Sequence, residues 1–550
     1  MSMKRNIILS AITGAALLLL TASCSNDENN EQKEPAQTVQ FSFTNEDFGE
    51  DETPSRATSA AEAKPQTIDL GDCEAEITVE NEPAVKKTRG AQTPANGHYT
   101  IRAYQAGTLK GEMSGTFSSG TFTLDGGSQN SFRLPHGTYD FIAFNDDVTV
   151  SGTDLTVARD KAETARMSTA TVNITGSADV HVNFTMKHVG CRLRTQFVCK
   201  KDIPNAITAT LEATAANVIP TSVAYSPATQ TYTATNGAIT AEASNSPAST
   251  EAKYTASRYG ENYTYTSTST DYHYFLPTTE ASNLKLSFSA GTVFWKPITA
   301  AQKLNMNLSM LSNKSYLVKI KLKPQFTYLF TDGTTGYFKE TALGGAPAAT
   351  AKTPIAVVVD KDSHMAIALD DAGGGEMFWC TSTYGVTQTN THMVANYNDA
   401  LNSQATSGID ETWEASYTHS NVTGNKIKAQ NPDFIAFKAA ADYNPGIAYT
   451  GSPALQWYLP SYSDWKWLYP LGFGDKAAVT QGMRIYEWYG NLIDVAFTQV
   501  GGTTILYKNY HASSEFQPHS RGAITPSNRF LYWNSGGKNI NSFVRPFVKY

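Results

Sequence analysis

The sequence predicts a mainly β protein, with two antiparallel β-sandwich domains followed by an α+β domain. Three observations predict this. First, apolar and polar residues alternate with period two up to residue 325, as in Tyr316-Leu317-Val318-Lys319-Ile320-Lys321-Leu322. Such a strand buries one face and wets the other. Second, no convincing long helical pattern precedes residue 390. Third, tryptophan is unevenly placed. Trp295 alone precedes residue 370, whereas Trp379, Trp413, Trp457, Trp465, Trp467, Trp488 and Trp533 follow it. A core built almost without tryptophan and one built around it imply different folds.

The N-terminus comes first in chain order. Lys4 and Arg5 precede an uncharged apolar stretch, Ile7 to Leu20, which is short for a stable membrane anchor. Residues 1–23 therefore read as a signal peptide. Thr21-Ala22-Ser23-Cys24 resembles a bacterial lipobox, with Thr21 where leucine is usual. The resemblance implies that Cys24 is acylated and becomes the first mature residue, held in the outer membrane by its lipid. Ser25-Asn26-Asp27-Glu28-Asn29-Asn30-Glu31 then forms a polar, acidic run, and residues 24–36 read as a solvated tether. This run resembles the acidic signal that sends lipoproteins to the cell surface in Gram-negative anaerobes.

The first sandwich is expected over 37–186 and the second over 187–325. Tyr99 to Tyr104, Val180 to Phe184 and Asn283 to Phe288 are alternating strands. Asp125-Gly126-Gly127 and His136-Gly137 supply turns, and Lys323-Pro324 closes the second sandwich. The α+β domain is expected over 326–550. Ile355 to Asp360 and Met365 to Leu369 read as a buried hairpin. Asn396 to Asn402 and Phe434 to Tyr443 read as short helices. Ser461 with Asp464 resembles a capping box that opens a third helix. Arg484 to Trp488, Val495 to Val500, Arg529 to Trp533 and Phe543 to Val548 read as strands.

Composition narrows the functional classes. The chain has 550 residues, 17% of them charged, and a net charge of −7. That balance leaves no basic footprint for nucleic acid. Beyond Cys24, Cys73, Cys191, Cys199 and Cys380 show neither a disulfide framework nor a zinc spacing. On one straight strand Cys191 and Cys199 would stand roughly 26 Å apart, too far to pair. Small buried hydrophobes is the reading they fit. No His-Glu-x-x-His, Walker loop or Gly-x-Ser-x-Gly occurs, so no enzyme, cofactor or metal site is expected. Sugars and protein partners both favour exposed aromatic rings. Trp467, Trp488 and Trp533 are the candidate ligand-binding aromatics. Trp467 is the foremost, because it lies two positions from Trp465 and the two cannot share one helical face.

Several segments resemble the fimbrillin (Mfa-like) family across roughly residues 35–325. They are Val39-Gln40-Phe41-Ser42-Phe43, Thr88-Arg89-Gly90, Tyr139-Asp140-Phe141-Ile142-Ala143-Phe144-Asn145, Phe184-Thr185-Met186-Lys187-His188 and Asn313-Lys314-Ser315-Tyr316. The resemblance implies transthyretin-like sandwiches and a subunit of a surface pilus (fimbrium). It implies that a protease cuts after an arginine and releases an early strand, and that the groove then accepts a strand from another pilin subunit. The candidate cuts are Arg56 and Arg89. Trp457-Tyr458-Leu459-Pro460-Ser461, Tyr532-Trp533-Asn534-Ser535 and Val544-Arg545-Pro546-Phe547 resemble a FISUMP-type domain related to the C-type-lectin-like fold. A chain ending in such a domain, instead of a donor strand, is expected at a pilus tip, adhering to a host or bacterial surface glycan or protein. A surface glycan-binding lipoprotein serving nutrient capture, without any pilus, is the alternative.

Overall fold

The computed structural model describes residues 39–49, 66–70, 73–82, 94–126, 132, 134–175, 180–249, 262–294, 296–298, 301–304, 306–402 and 405–550. The signal peptide, the tether, Cys24, Arg56 and Arg89 lie outside the described residues.

In chain order the first strands are β1 (Val39–Asn45), β2 (Gln66–Asp69), β3 (Cys73–Asn81), β4 (Gly97–Gln105), β5 (Thr108–Ser118), β6 (Thr121–Leu124), β7 (Gly137–Asn145), β8 (Thr149–Ser151), β9 (Asp154–Ala158), β10 (Arg166–Ile174), β11 (Val180–His188) and β12 (Cys191–Cys199). Seven of them form one sheet in the order β1-β11-β10-β7-β4-β5-β6. Its centre does not alternate, because both faces of β7 are covered. Tyr139, Phe141 and Ala143 enter one core with Tyr99, Ile101, Phe117 and Phe184. Ile142 and Phe144 enter another with Tyr104, Leu155, Val157 and Val223. β11 pairs with β10 at only two positions, Arg166 with His188 and Met167 with Lys187. It continues beside β1, and the two strands supply Phe43, Val182, Phe184 and Met186 to the first core.

The second region holds a sheet ordered Tyr265–Thr268, β12, Ser315–Pro324, β3, β2. A four-stranded sheet centred on Thr208–Ala213 and Leu284–Ala290 accompanies it. Leu193, Phe197, Ile320 and Leu322 share one core with Leu211 and Leu286.

Strand pairing crosses the expected boundary at residue 186. β2 and β3 belong to the second region's sheet, not the first sandwich. β8 and β9 instead pair onward to Ile219–Ser226 and Thr231–Gly237. A strand goes to the edge that accepts its apolar face. Cys73, Ala75 and Ile77 all enter the second core. On the other face, Lys321 and Lys323 reach Glu76 at 3.5 and 2.5 Å, and Lys319 reaches Glu80 at 3.3 Å. Such cross-strand charge pairs specify partners that chain proximity does not reveal. The strictly antiparallel expectation is also corrected. β1 with β11, and β12 with Ser315–Pro324, run parallel.

The last region has a six-stranded sheet, ordered Thr335–Tyr337, Thr327–Phe330, Pro354–Asp360, Met365–Ala368, Phe547–Lys549, Gln456–Tyr458. A four-stranded sheet is ordered Ile485–Glu487, Phe530–Gly537, Ser520–Pro526, Tyr510–Gln517. Helices are short: α1 (Gly408–Trp413), α2 (Ile435–Ala441), α3 (Leu468–Leu471) and α4 (Gly490–Thr498). Asn396 to Asn402 yields one 3-10 turn, Asp399–Leu401, in place of the expected helix. The expected strand from Val495 is instead the end of α4. Leu492, Ile493, Ala496 and Phe497 are buried at helical spacing, a face visible only when the window starts before Val495. Gly490 opens α4 because a β-carbon there would stand 2.1 Å from the Ser527 carbonyl oxygen.

This region is joined to the second one. Tyr489 donates its hydroxyl to Asp202 at 2.5 Å. Leu492 enters the second core, and the Phe473 ring lies 4.9 Å from that of Phe294.

Candidate functional site

β1 is the first candidate. Its alternation puts Phe41 and Phe43 inward and Gln40 and Ser42 outward. Phe43 is buried, its ring 4.6 Å from Tyr99, 5.0 Å from Phe117 and 5.2 Å from Phe184. Phe41 meets Phe122, Phe132, Phe141 and Phe184 within 6.3 Å. The backbone is held on one side by seven parallel positions, Val39 with Val180 through Asn45 with Met186. On the other side Ala95 donates its N–H to the Phe43 carbonyl at 3.1 Å, beside an isolated bridge between Thr44 and Pro94. β1 is therefore an edge strand whose side chains complete an aromatic core. Removing it would leave β11 with an open edge and the core with a trough lined by Tyr99, Phe117 and Phe184. An alternating apolar strand could fill both.

A latch follows β1. Arg166 donates from Nη1 to the carbonyls of Glu46 (3.0 Å) and Met186 (3.1 Å). Asn313 donates from Nδ2 to Glu46 Oε1 at 2.7 Å and accepts the Gly49 N–H on its carbonyl at 2.8 Å. The His188 N–H donates to Asn313 Oδ1 at 3.1 Å, and the Phe48 ring stacks on His188 at 3.7 Å. His188 Nδ1 lies 2.7 Å from the Glu163 carbonyl, so it carries the proton, and Nε2 accepts from Arg166 Nη2 at 2.8 Å. Burial, then the Arg166 charge, pushes the His188 pKa down to about 4.

β3 is held differently. It pairs antiparallel with Ser315–Pro324 from Asn81–Tyr316 to Cys73–Pro324. Beyond its end the Glu82 carboxylate accepts from Arg194, from Tyr272 at 3.0 Å and from Ser315 at 3.0 Å. The two candidate cuts thus have different consequences. A cut at Arg56 would separate β1 alone, whereas one at Arg89 would separate β1, β2 and β3.

The tryptophan-rich region is the second candidate, and the structure places two of its three expected residues in the core. Trp488 and Trp533 are buried, at 1% and 0% exposure, and present no ring to solvent. Their indole N–H groups donate to backbone carbonyls, Trp488 to Ser527 at 2.8 Å and Trp533 to Tyr462 at 3.3 Å. Trp379 and Trp413 do the same toward Ala512 (2.9 Å) and Trp457 (3.0 Å). These indoles fasten loops to the core, because a buried N–H needs a partner. Trp467 is half-buried, with the Lys476 ammonium 2.9 Å from its ring centroid, so one face is already covered.

The capping pair forms as a reciprocal contact. Asp464 Oδ2 accepts the Ser461 N–H at 2.8 Å, and Ser461 Oγ accepts the Asp464 N–H at 3.1 Å. Sequence reasoning missed the buried charges nearby. Glu515 accepts the backbone N–H groups of Thr389 (2.9 Å) and Asn390 (2.5 Å) and pairs with Lys538. Glu411 accepts from Ser513 Oγ, and burial raises its pKa to about 8. These groups tie residues 389–390 and α1 to Tyr510–Gln517. Scattered single charges in sequence gave no spacing by which to find them. The four described cysteines are buried, and Cys191 and Cys199 stand at opposite ends of β12. Among the described residues no three His, Cys, Asp or Glu side chains gather to hold a metal ion, and no helix is long and apolar enough to cross a membrane.

Neither a protein-family model nor a curated protein matches the sequence. Solved structures similar to the chain include a fimbrial protein from Bacteroides vulgatus, with 14% identity and a TM-score of 0.27. It covers 41% of this chain and 91% of its own. A fimbrial protein from Bacteroides ovatus has 11% identity and a TM-score of 0.21, covering 94% of this chain and 100% of its own. A fimbrial assembly protein from Parabacteroides distasonis has 10% identity and a TM-score of 0.24, covering 42% and 88%. Scores this low do not establish a shared topology.

Proposed function

We propose that the chain is an exported, Cys24-anchored subunit of a cell-surface pilus, that it assembles by β-strand complementation, and that it presents its tryptophan-rich domain outward as a tip-type adhesive. The single observation that carries this reading is β1. It is an apolar-alternating edge strand that fills an aromatic trough, and residues 50–65 with Arg56 follow it. A fold that exchanges strands needs such an apolar-alternating strand at a sheet edge, where another chain can replace it. Phe547–Lys549 supports an accepting role, since it is paired on both sides by Met365–Ala368 and Gln456–Tyr458 and is not free to be donated. The proposal includes a FISUMP-type, C-type-lectin-like character for residues 326–550, based on the sequence resemblance above.

The test is trypsin treatment of the purified mature chain, followed by mass measurement and addition of a fluorescent peptide spanning residues 39–49. The expected result is a cut after Arg56, loss of β1, and uptake of the peptide by trimmed but not by intact protein. Arg56→Gln should abolish both. Trimmed protein that takes up no strand peptide would sink the reading. The surface glycan-binding alternative, without a pilus, is favoured by one specific feature, a cavity between the second and third regions.

A further inference from the structure

We propose that this cavity is a binding site for a neutral hexose unit of a surface glycan. The proposal deepens the adhesive reading and rests on it for the reason a sugar would be met there.

The cavity measures about 300 Å³ and is assembled from segments far apart in sequence. Buried Phe326 and the α4 residue Leu492 supply apolar floor, and half-buried Tyr263 and Tyr337 add ring surface, each with lysine ammonium groups within 6.0 Å of its ring centroid. Glu74 of β3, Lys200 just after β12 and Gln499 just after α4 bring polar atoms to the same space. This combination of apolar wall and a few converging polar groups is the form small-ligand sites take.

The polar groups decide the ligand class. Lys323 and Lys339 also line the cavity, but each already pairs with a carboxylate at 2.5 Å, Lys323 with Glu76, which Lys321 shares, and Lys339 with Asp69. Lys200 and Glu74 have no ion pair among the described residues. The groups without an ion pair are therefore one cation, Lys200, whose ammonium stands 5.4 Å from the Tyr263 ring centroid, and one anion, Glu74, plus the Oε1 acceptor of Gln499, whose Nε2 donates to Tyr328 at 2.5 Å. An anionic ligand would meet Glu74, and an alkyl chain would strand both charges without water. Neighbouring hydroxyls on a sugar ring both donate and accept, so they satisfy Lys200, Glu74 and Gln499 together. The ring's C–H faces suit tyrosine.

With Trp488 and Trp533 committed to the core, Tyr263 and Tyr337 bring partly exposed rings beside polar groups at this junction. A bound sugar would touch β3, the end of β12 and α4 at once, and so would resist separation of the two regions.

The experiment is saturation-transfer NMR on the full chain with methyl β-glucoside, N-acetylglucosamine and lactose, and with sodium glucuronate and inorganic phosphate as anionic probes. Tyr337→Ala, Lys200→Ala and Glu74→Gln accompany it, with near-UV circular dichroism to verify folding and Trp467→Ala as a control elsewhere. The expected result is transfer from at least one neutral sugar, weakened about tenfold or more by the cavity variants and unchanged by the control. Preferential binding of the anions, no binding by any sugar, or equal binding by all variants would overturn the proposal. Strand uptake by trimmed protein is measured on the same samples. Uptake without sugar binding removes this site alone, and sugar binding without uptake removes the pilus reading alone.

Discussion

Acid should loosen the segment that holds β1, through His188. In the folded chain Nε2 of His188 is an acceptor for Arg166, and the ring is stacked under Phe48. Protonation removes the acceptor and sets a second cation 2.8 Å from the guanidinium. Arg192 adds to the repulsion, Asp47 opposes it, and burial outweighs both. The folded pKa of about 4 lies below the ordinary 6.5. Between those values the unfolded chain binds the extra proton, so the stabilisation is complete above about pH 6.5 and is lost as pH falls toward 4. At about 1.4 kcal/mol per unit, a shift of roughly 2.5 units limits the effect to about 3 kcal/mol, with most of it gone by about pH 4.5. The assay is urea unfolding at several pH values, with hydrogen exchange read at Phe41 to Phe48. His188→Gln keeps a donor and an acceptor but cannot titrate, so it should flatten the profile in this window and keep β1 protected at low pH. Wild type and variant losing stability in parallel between pH 6.5 and 4.5 would refute the reasoning.

Other expectations follow from the same structure. Phe43→Ala should destabilise by about 3–5 kcal/mol in chemical denaturation, since it empties a site packed by Tyr99, Phe117 and Phe184. Glu411 has its pKa raised from 4.5 to about 8, so the folded form holds an extra proton in that window and stability falls as pH rises through it. Glu411→Gln should remove that decline, as measured by melting temperature against pH. Trp533→Ala should cost about 3–5 kcal/mol, whereas Trp467→Ala, at a half-buried ring, should cost about 1 kcal/mol or less in the same thermal assay.

The strands were legible where one face is wet. Tyr316 to Leu322 alternates in sequence and in burial, and its strand spans Ser315–Pro324. Legibility failed where burial is two-sided or where partners are remote. Tyr139 to Phe144 carries apolar residues toward two cores at once, so no alternation announces its orientation. β3 has an ordinary strand pattern, and nothing near it names Ser315–Pro324 as its partner. Val495 to Val500 is too short a window to distinguish period 2 from period 3.6, and tertiary burial chose the helix. Of the candidate site, the alternation of β1 was visible, but its parallel placement was not. Tryptophan density was visible too, but only packing shows that Trp488 and Trp533 point their N–H groups at carbonyls. The cavity is illegible in principle, because Glu74, Lys200, Tyr263, Tyr337 and Gln499 come together only after the chain has folded.

The pairing of β3 with Ser315–Pro324 also sets an order of events. Glu80 and Lys319, which meet across this ladder, are 239 positions apart. The stretch synthesised early must wait, with the edge opposite β2 unpartnered, until the far strand arrives, and contacts of such long range make folding slow. During that interval its apolar face is open to any passing chain. Guarding that waiting strand is therefore a requirement that the finished fold places on the cell.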